Sequence, residues 1–124
     1  MQSTYDKIQF YKIGPREKNN IIKKLKELII REKRIQLALV FGSITRRNSI
    51  RDVDLCIYTI PKLSFRELLS MNAQIELDVG MPVDLVELTD LPPSLRMNIL
   101  GNGILIKGQK TLLHELQNQV KAKI

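Results

Sequence analysis

The sequence predicts a mixed α/β (α+β) architecture, a small β-sheet with helices packed on it. Three observations lead there. Apolar runs of strand length occur at residues 37–41, 53–58, 83–88 and 103–106. Between and beside them, apolar residues recur at helical spacing, over 16–34, after Ser64, and over 111–121. Gly and Pro mark the junctions, at Gly14-Pro15, Pro61, Gly80, Pro92-Pro93 and Gly101. Strands that alternate with helices in this way pack as one sheet with helical cover. The pattern does not give the strand order.

Taken in order, the residues through Tyr11 and Ile13 alternate weakly, as a short edge strand would. In the helix over 16–34, Ile21, Ile22, Leu25, Leu28 and Ile29 form one stripe, and Lys23, Lys24, Lys26 and Arg31 lie outside it. The run 37–41 is continuously apolar, which implies cover on both faces. In 53–58, Val53, Leu55 and Ile57 share the core face, and Asp52 and Asp54 the other. Ser64-x-x-Glu67 is a capping box, with Phe65, Leu68, Leu69 and Ile75 expected inward and Gly80 as the stop. Asp84 interrupts the apolar run 83–88, and Glu87, three residues on, is expected to point away from it toward solvent or a salt bridge. Thr89 or Asp90 is the expected cap of a short helix with Pro92 and Pro93 in its first turn and Gly101 at its exit. Leu112, Leu113, Leu116 and Val120 stripe the terminal helix. One domain over 1–124 is expected, its core about 16–108 and its last helix about 110–122.

Composition narrows the function classes. The 20 Lys+Arg against 13 Asp+Glu leave a net charge of +7, which favours polyanionic ligands in general and also describes an ordinary solvated surface. The single cysteine, Cys56, has no partner for an internal disulfide and reads as a buried strand residue. No apolar run reaches the roughly 20 residues of a membrane span, so a cytoplasmic protein is expected. Three Tyr, three Phe and no Trp offer few stacking surfaces, which argues against a dedicated single-strand nucleic-acid binder. His114, on the terminal helix, reads as a surface residue, and Met71, Met81 and Met97 as core filling.

The chemistry concentrates in 39–58, LVFGSITRRNSIRDVDLCIY. Carboxylates are depleted from buried strands unless a cation satisfies them. Asp52 and Asp54, at i and i+2 of a strand, point the same way, roughly 6.6 Å apart along the chain. They can converge on a divalent ion or a close pair of ions. Gly42 lacks a β-carbon, so its backbone can lie against a phosphate, with the Ser43 hydroxyl and nearby N–H groups holding its oxygens. Arg46, Arg47 and Arg51 stand where they can neutralise a triphosphate or merely solvate the surface.

The ordered set Gly42-Ser43 after one strand, Asp52-x-Asp54 in the next and Asp84 in a third resembles the DNA polymerase beta-type nucleotidyltransferase superfamily. With Val83-Asp84-Leu85-Val86-Glu87-Leu88, Leu91-Pro92-Pro93-Ser94-Leu95-Arg96 and Ile99-Leu100 before Gly103, it is similar more narrowly to the minimal nucleotidyltransferases, often encoded beside a HEPN-domain protein. The resemblance covers 37–107. It implies the nucleotidyltransferase fold and ATP as substrate. It also implies two Mg²⁺ ions held by Asp52, Asp54 and Asp84, which stabilise the attacking and leaving oxygens. Gly42, Ser43, Arg46 and Arg47 would bind the nucleotide, and Asp84 would help remove the acceptor proton. The implied role is an antitoxin that transfers AMP, or another NMP, to a hydroxyl of a HEPN toxin. Only eight residues separate Ser43 from Asp52, fewer than in the usual members, and Ile44 follows Ser43 where a basic residue is common.

Two other classes of function stand beside this one. A contact-only antitoxin would keep the fold and block its partner without catalysis. A small nucleic-acid-binding protein would use the +7 charge and weaken steeply with salt, yet no helix-turn-helix or zinc-ligand pattern supports it. A small-molecule acceptor would need extra substrate-binding structure, which a homodimer could supply.

Overall fold

A computed structural model of the chain describes residues 11–45 and 49–123. Its elements are β1 (Tyr11–Lys12), α1 (Pro15–Ile29), β2 (Ile35–Phe41), β3 (Ser49–Ile50), β4 (Val53–Thr59), α2 (Phe65–Val79), β5 (Val83–Glu87), α3 (Pro93–Asn102), β6 (Ile104–Lys107) and α4 (Lys110–Lys121). Short 3₁₀ turns at Gly42–Thr45 and Leu88–Asp90 follow β2 and β5. The main sheet runs β5-β4-β2-β6, and β1 pairs with β3 in a separate two-stranded ladder. β2 is antiparallel to β4 and β6, whereas β5 lies parallel to β4. The mixed sheet with helical cover is the architecture expected.

Each face of the sheet carries its own apolar layer. Ala38, Val40, Val53, Leu55 and Ile57 pack with Leu25 and Ile29 of α1 and Ile75 of α2. Leu37, Leu39 and Cys56 pack with Ile99 and Leu100 of α3 and Leu116 and Val120 of α4. Burial on both sides explains why 37–41 is continuously apolar. Fully burying one such aliphatic side chain contributes about 1.5–3 kcal/mol, so each layer is a large favourable term. Cys56 is buried, and its thiol is pushed up to about 12 by that burial, with Glu87 adding to the effect. His114 is exposed, as expected.

Several local expectations are corrected. Helix α1 ends at Ile29, short of residue 34. Beyond it Glu32 accepts from the Arg34 backbone and guanidinium, and Lys107 Nζ donates to the Ile29 carbonyl at 3.5 Å and the Glu32 carbonyl at 2.8 Å, so the Lys107 side chain reaches the last helical residue and the turn after it. In α2 the capping box forms as read, with the Glu67 N–H donating to Ser64 Oγ and the Ser64 N–H donating to Glu67 Oε1. Phe65 and Leu69, however, are 75% and 54% exposed. Leu68, Met71, Ile75 and Val79 form the inward row instead. Helix α3 starts after Pro92 with no side-chain cap. Thr89 bonds Glu87 and Asp90 pairs with Lys62, so neither caps it. Gly101 lies inside α3, whose exit is Gly103.

Glu87 is the sharpest correction. It points away from Asp84 but is 4% exposed, on the Val83 and Leu85 face of β5. Oε1 accepts from the Thr59 N–H and hydroxyl, both at 3.2 Å, while Oε2 is buried without a partner among the described residues. Desolvation raises its pKa despite the Thr59 hydrogen bonds, which act the other way. The folded state therefore holds a proton that the unfolded chain has already released. Stability is then lost as pH rises from the ordinary carboxylate range toward the raised value. Glu87→Gln keeps a carbonyl acceptor for Thr59 and cannot ionise. Thermal midpoints at pH 5 and pH 8 are expected to fall further for the wild type than for Glu87→Gln.

Candidate active site

The parallel register of β4 and β5 sets Asp54 directly beside Asp84. On the other flank of β4, Asp54 is the antiparallel partner of Phe41, the last residue of β2. The next residue, Gly42, therefore turns against the Asp54 side chain. A β-carbon on Gly42 would lie 2.1 Å from Asp54 Oδ2, an impossible contact, and its φ of 78° is left-handed. Glycine is thus needed twice, for the backbone conformation and for the space. Thr45 Oγ1 donates to the Gly42 carbonyl at 2.7 Å and closes the turn. Ser43 is half-buried, and its hydroxyl makes no hydrogen bond among the described residues.

Asp52 lies just before the first residue of β4 and is half-buried. Asp84, on the edge strand, is exposed. Burial pushes the Asp54 carboxyl up to about 6, repulsion from Asp52 and then Asp84 adds to this, and Arg51 opposes it. Among the described residues none of the three acids is in an ion pair. Nor, among them, do three His, Cys, Asp or Glu side chains form a ready-made group that could hold a metal ion.

The donors nevertheless fit a hard divalent cation. They are carboxylate oxygens, the ligands Mg²⁺ prefers, and such sites commonly use few carboxylates together with substrate phosphates. A half-buried carboxylate beside two others gains most from a cation placed among them. The structure sets Asp54 beside Asp84 and against Gly42, with Asp52 near enough to repel Asp54, and Ser43 follows Gly42 in the turn. Arg46 and Arg47 lie outside the described residues, and Arg51 is exposed.

Sequence reading missed Thr45, whose bond fixes the turn. It also missed Asn98 and Asn102 of α3, which line a hollow of about 670 Å³ bounded on one side by Phe41 and Gly42. Neither asparagine carried a motif, although their i, i+4 spacing places both on one helix face.

A mixed sheet with acids on two neighbouring strands and a glycine-serine turn against one of them has the nucleotidyltransferase fold. Residues 23–112 match the family described as polymerase beta, nucleotidyltransferase, and the chain belongs to that family. No curated protein matches it significantly. Among solved structures, a chain of a toxin–antitoxin with AMP-PNP is similar at a TM-score of 0.72 and 20% identity, over 82% of this chain and 85% of that one. A chain of the tri-AMPylated Shewanella oneidensis HEPN toxin in complex with MNT antitoxin is similar at a TM-score of 0.66 and 19% identity, over 87% and 83%. A chain of the toxin–antitoxin MntA-HepT gives 0.66 and 18% identity, over 89% and 86%. At these identities the likeness is one of fold.

Proposed function

We propose that this protein is a Mg²⁺-dependent minimal nucleotidyltransferase, a single domain that transfers AMP, or another NMP, from a nucleoside triphosphate to a hydroxyl of a HEPN-domain toxin. It would thereby act as the antitoxin, in the cytoplasm. The observation that carries this reading is Asp54 held between Asp84 and Gly42. That juxtaposition sets acids that want a cation against a turn that accepts a phosphate. The similar toxin–antitoxin structures support it, one described with AMP-PNP and one with a tri-AMPylated HEPN toxin.

In this reading Asp52, Asp54 and Asp84 hold Mg²⁺, as one or two ions. When bound, the cation withdraws charge from the phosphate oxygens and from the attacking and leaving oxygens. The Gly42-Ser43 turn grips the β- and γ-phosphate oxygens through backbone N–H groups and the Ser43 hydroxyl. Asp84, exposed on the edge strand, faces an incoming acceptor and takes the hydroxyl proton as the new oxygen–phosphorus bond forms. Pyrophosphate departs as the old bond breaks. Arg46 and Arg47 are proposed to neutralise the triphosphate.

The eight-residue spacer between Ser43 and Asp52 favours one other reading, a catalytically weak antitoxin that blocks the HEPN protein by contact. Incubation with ATP, Mg²⁺ and the co-purified HEPN-domain partner, followed by intact-mass measurement of both chains, separates the two. A gain of one or more AMP on the partner is expected. An unchanged partner mass in a complex that still neutralises the toxin would leave only the contact reading.

A further inference from the structure

The hollow between β2 and α3 has the lining of a nucleoside site. It measures about 670 Å³, inside the range of roughly 300–1,000 Å³ in which small-molecule sites fall. It opens beside Gly42, the residue pressed against Asp54, so a ligand anchored by phosphate at the turn can extend into it. Phe41 and Leu95 supply apolar walls. Asn98 and Asn102, one turn apart on α3, supply two carboxamides that make no hydrogen bond among the described residues. A carboxamide presents a donor and an acceptor side by side, which complements the donor–acceptor edge of adenine, while an aromatic wall suits the face of any base. Cationic side chains, which a phosphate tail would favour, are absent from the described lining.

We infer that this hollow seats the nucleoside of the triphosphate, with the Asn98 and Asn102 amides reading the base edge or ribose hydroxyls against the Phe41–Leu95 wall. The inference rests on the nucleotidyltransferase reading and adds to it the residues that set nucleotide choice. They are specificity residues, distinct from the acids.

The test compares Asn98→Ala and Asn102→Ala with the wild type. With Mg²⁺ present, the two probes are a non-hydrolysable ATP analogue and inorganic tripolyphosphate, and competition by ATP, GTP, CTP and UTP gives the preference. Each variant is expected to bind the analogue about five- to tenfold more weakly, the scale of one lost hydrogen bond. Tripolyphosphate affinity should stay within about twofold, and the preference among the four nucleotides should flatten. Both asparagines are exposed, so unchanged thermal midpoints are expected. Unchanged analogue affinity and preference would overturn the inference. Parallel loss of both ligands would also overturn it, by placing the phosphate tail in the hollow. Wild-type protein that binds neither ligand would instead refute the triphosphate reading, and this inference with it. Analogue binding that Asp54→Asn abolishes while the asparagine variants leave it intact would sink the inference alone.

Discussion

Asp54→Asn is expected to cost at least roughly 10²–10³-fold in AMP transfer, the scale at which removing one charge-stabilising group acts. The same change is expected to raise the stability of the metal-free protein. The sign follows from the carboxyl being pushed up to about 6 by burial and by Asp52 and Asp84. Between an ordinary Asp pKa near ~3.9 and that value, the folded protein keeps a proton that the unfolded chain has released. Stability is therefore lost as pH rises through this window, and the loss is complete at neutral pH. Asn is neutral at every pH and escapes it. Because the carboxylate is half-exposed, solvent screening reduces the gain to on the order of 1 kcal/mol, or a few degrees in Tm. Melting curves at pH 5 and pH 7.5, with and without Mg²⁺, provide the check. The variant should already melt above the wild type at pH 5, and by a wider margin at pH 7.5, and Mg²⁺ should stabilise the wild type more than the variant. Retained transfer would remove Asp54 from the proposed chemistry.

Gly42→Ala is the second large effect expected. The left-handed φ of 78° costs an L-residue about 1–2 kcal/mol. The added methyl also occupies the place of Asp54 Oδ2, so the carboxylate must swing away from its position beside Asp84. Transfer should fall by about 10²-fold, consistent with an ångström-scale misplacement of a reacting group. Gly80→Ala provides the control, because Gly80 has a φ of 82° but nothing within 4 Å of a new β-carbon. It should lose comparable stability from backbone strain alone and keep its activity. Equal activity losses in the two variants would show that strain, rather than the displaced carboxylate, explains the Gly42 effect.

Legibility in the sequence followed the range of the physics involved. The Ser64–Glu67 capping box and the Gly80 stop depend on neighbours a few residues apart, and both form as read. The alternation in 53–58 put Val53, Leu55 and Ile57 on one face and Asp54 on the other, because strand periodicity is local. The same rule applied to 83–88 places Glu87 on the Val83 and Leu85 face; expecting it in solvent gave charge priority over periodicity. Phe65 and Leu69 went astray differently. Two apolar rows on α2 could each have faced the sheet, and only packing against β5 and α1 selected the Leu68–Ile75 row. The helix after β5 was foreseen, but its cap was not, because Thr89 and Asp90 found Glu87 and Lys62 as partners.

By itself the sequence determined the local content: which runs are strands, which faces carry acids, and that a glycine-serine turn follows one strand. Only the tertiary structure decided the order β5-β4-β2-β6, and with it that Asp54 stands between Asp84 and Gly42. It alone opened the hollow that Phe41 shares with Asn98 and Asn102. The reason is physical. Backbone hydrogen bonds pair any strand with any other, so strand order and register are set by how two apolar layers close over the whole sheet, through contacts that no short stretch of sequence encodes.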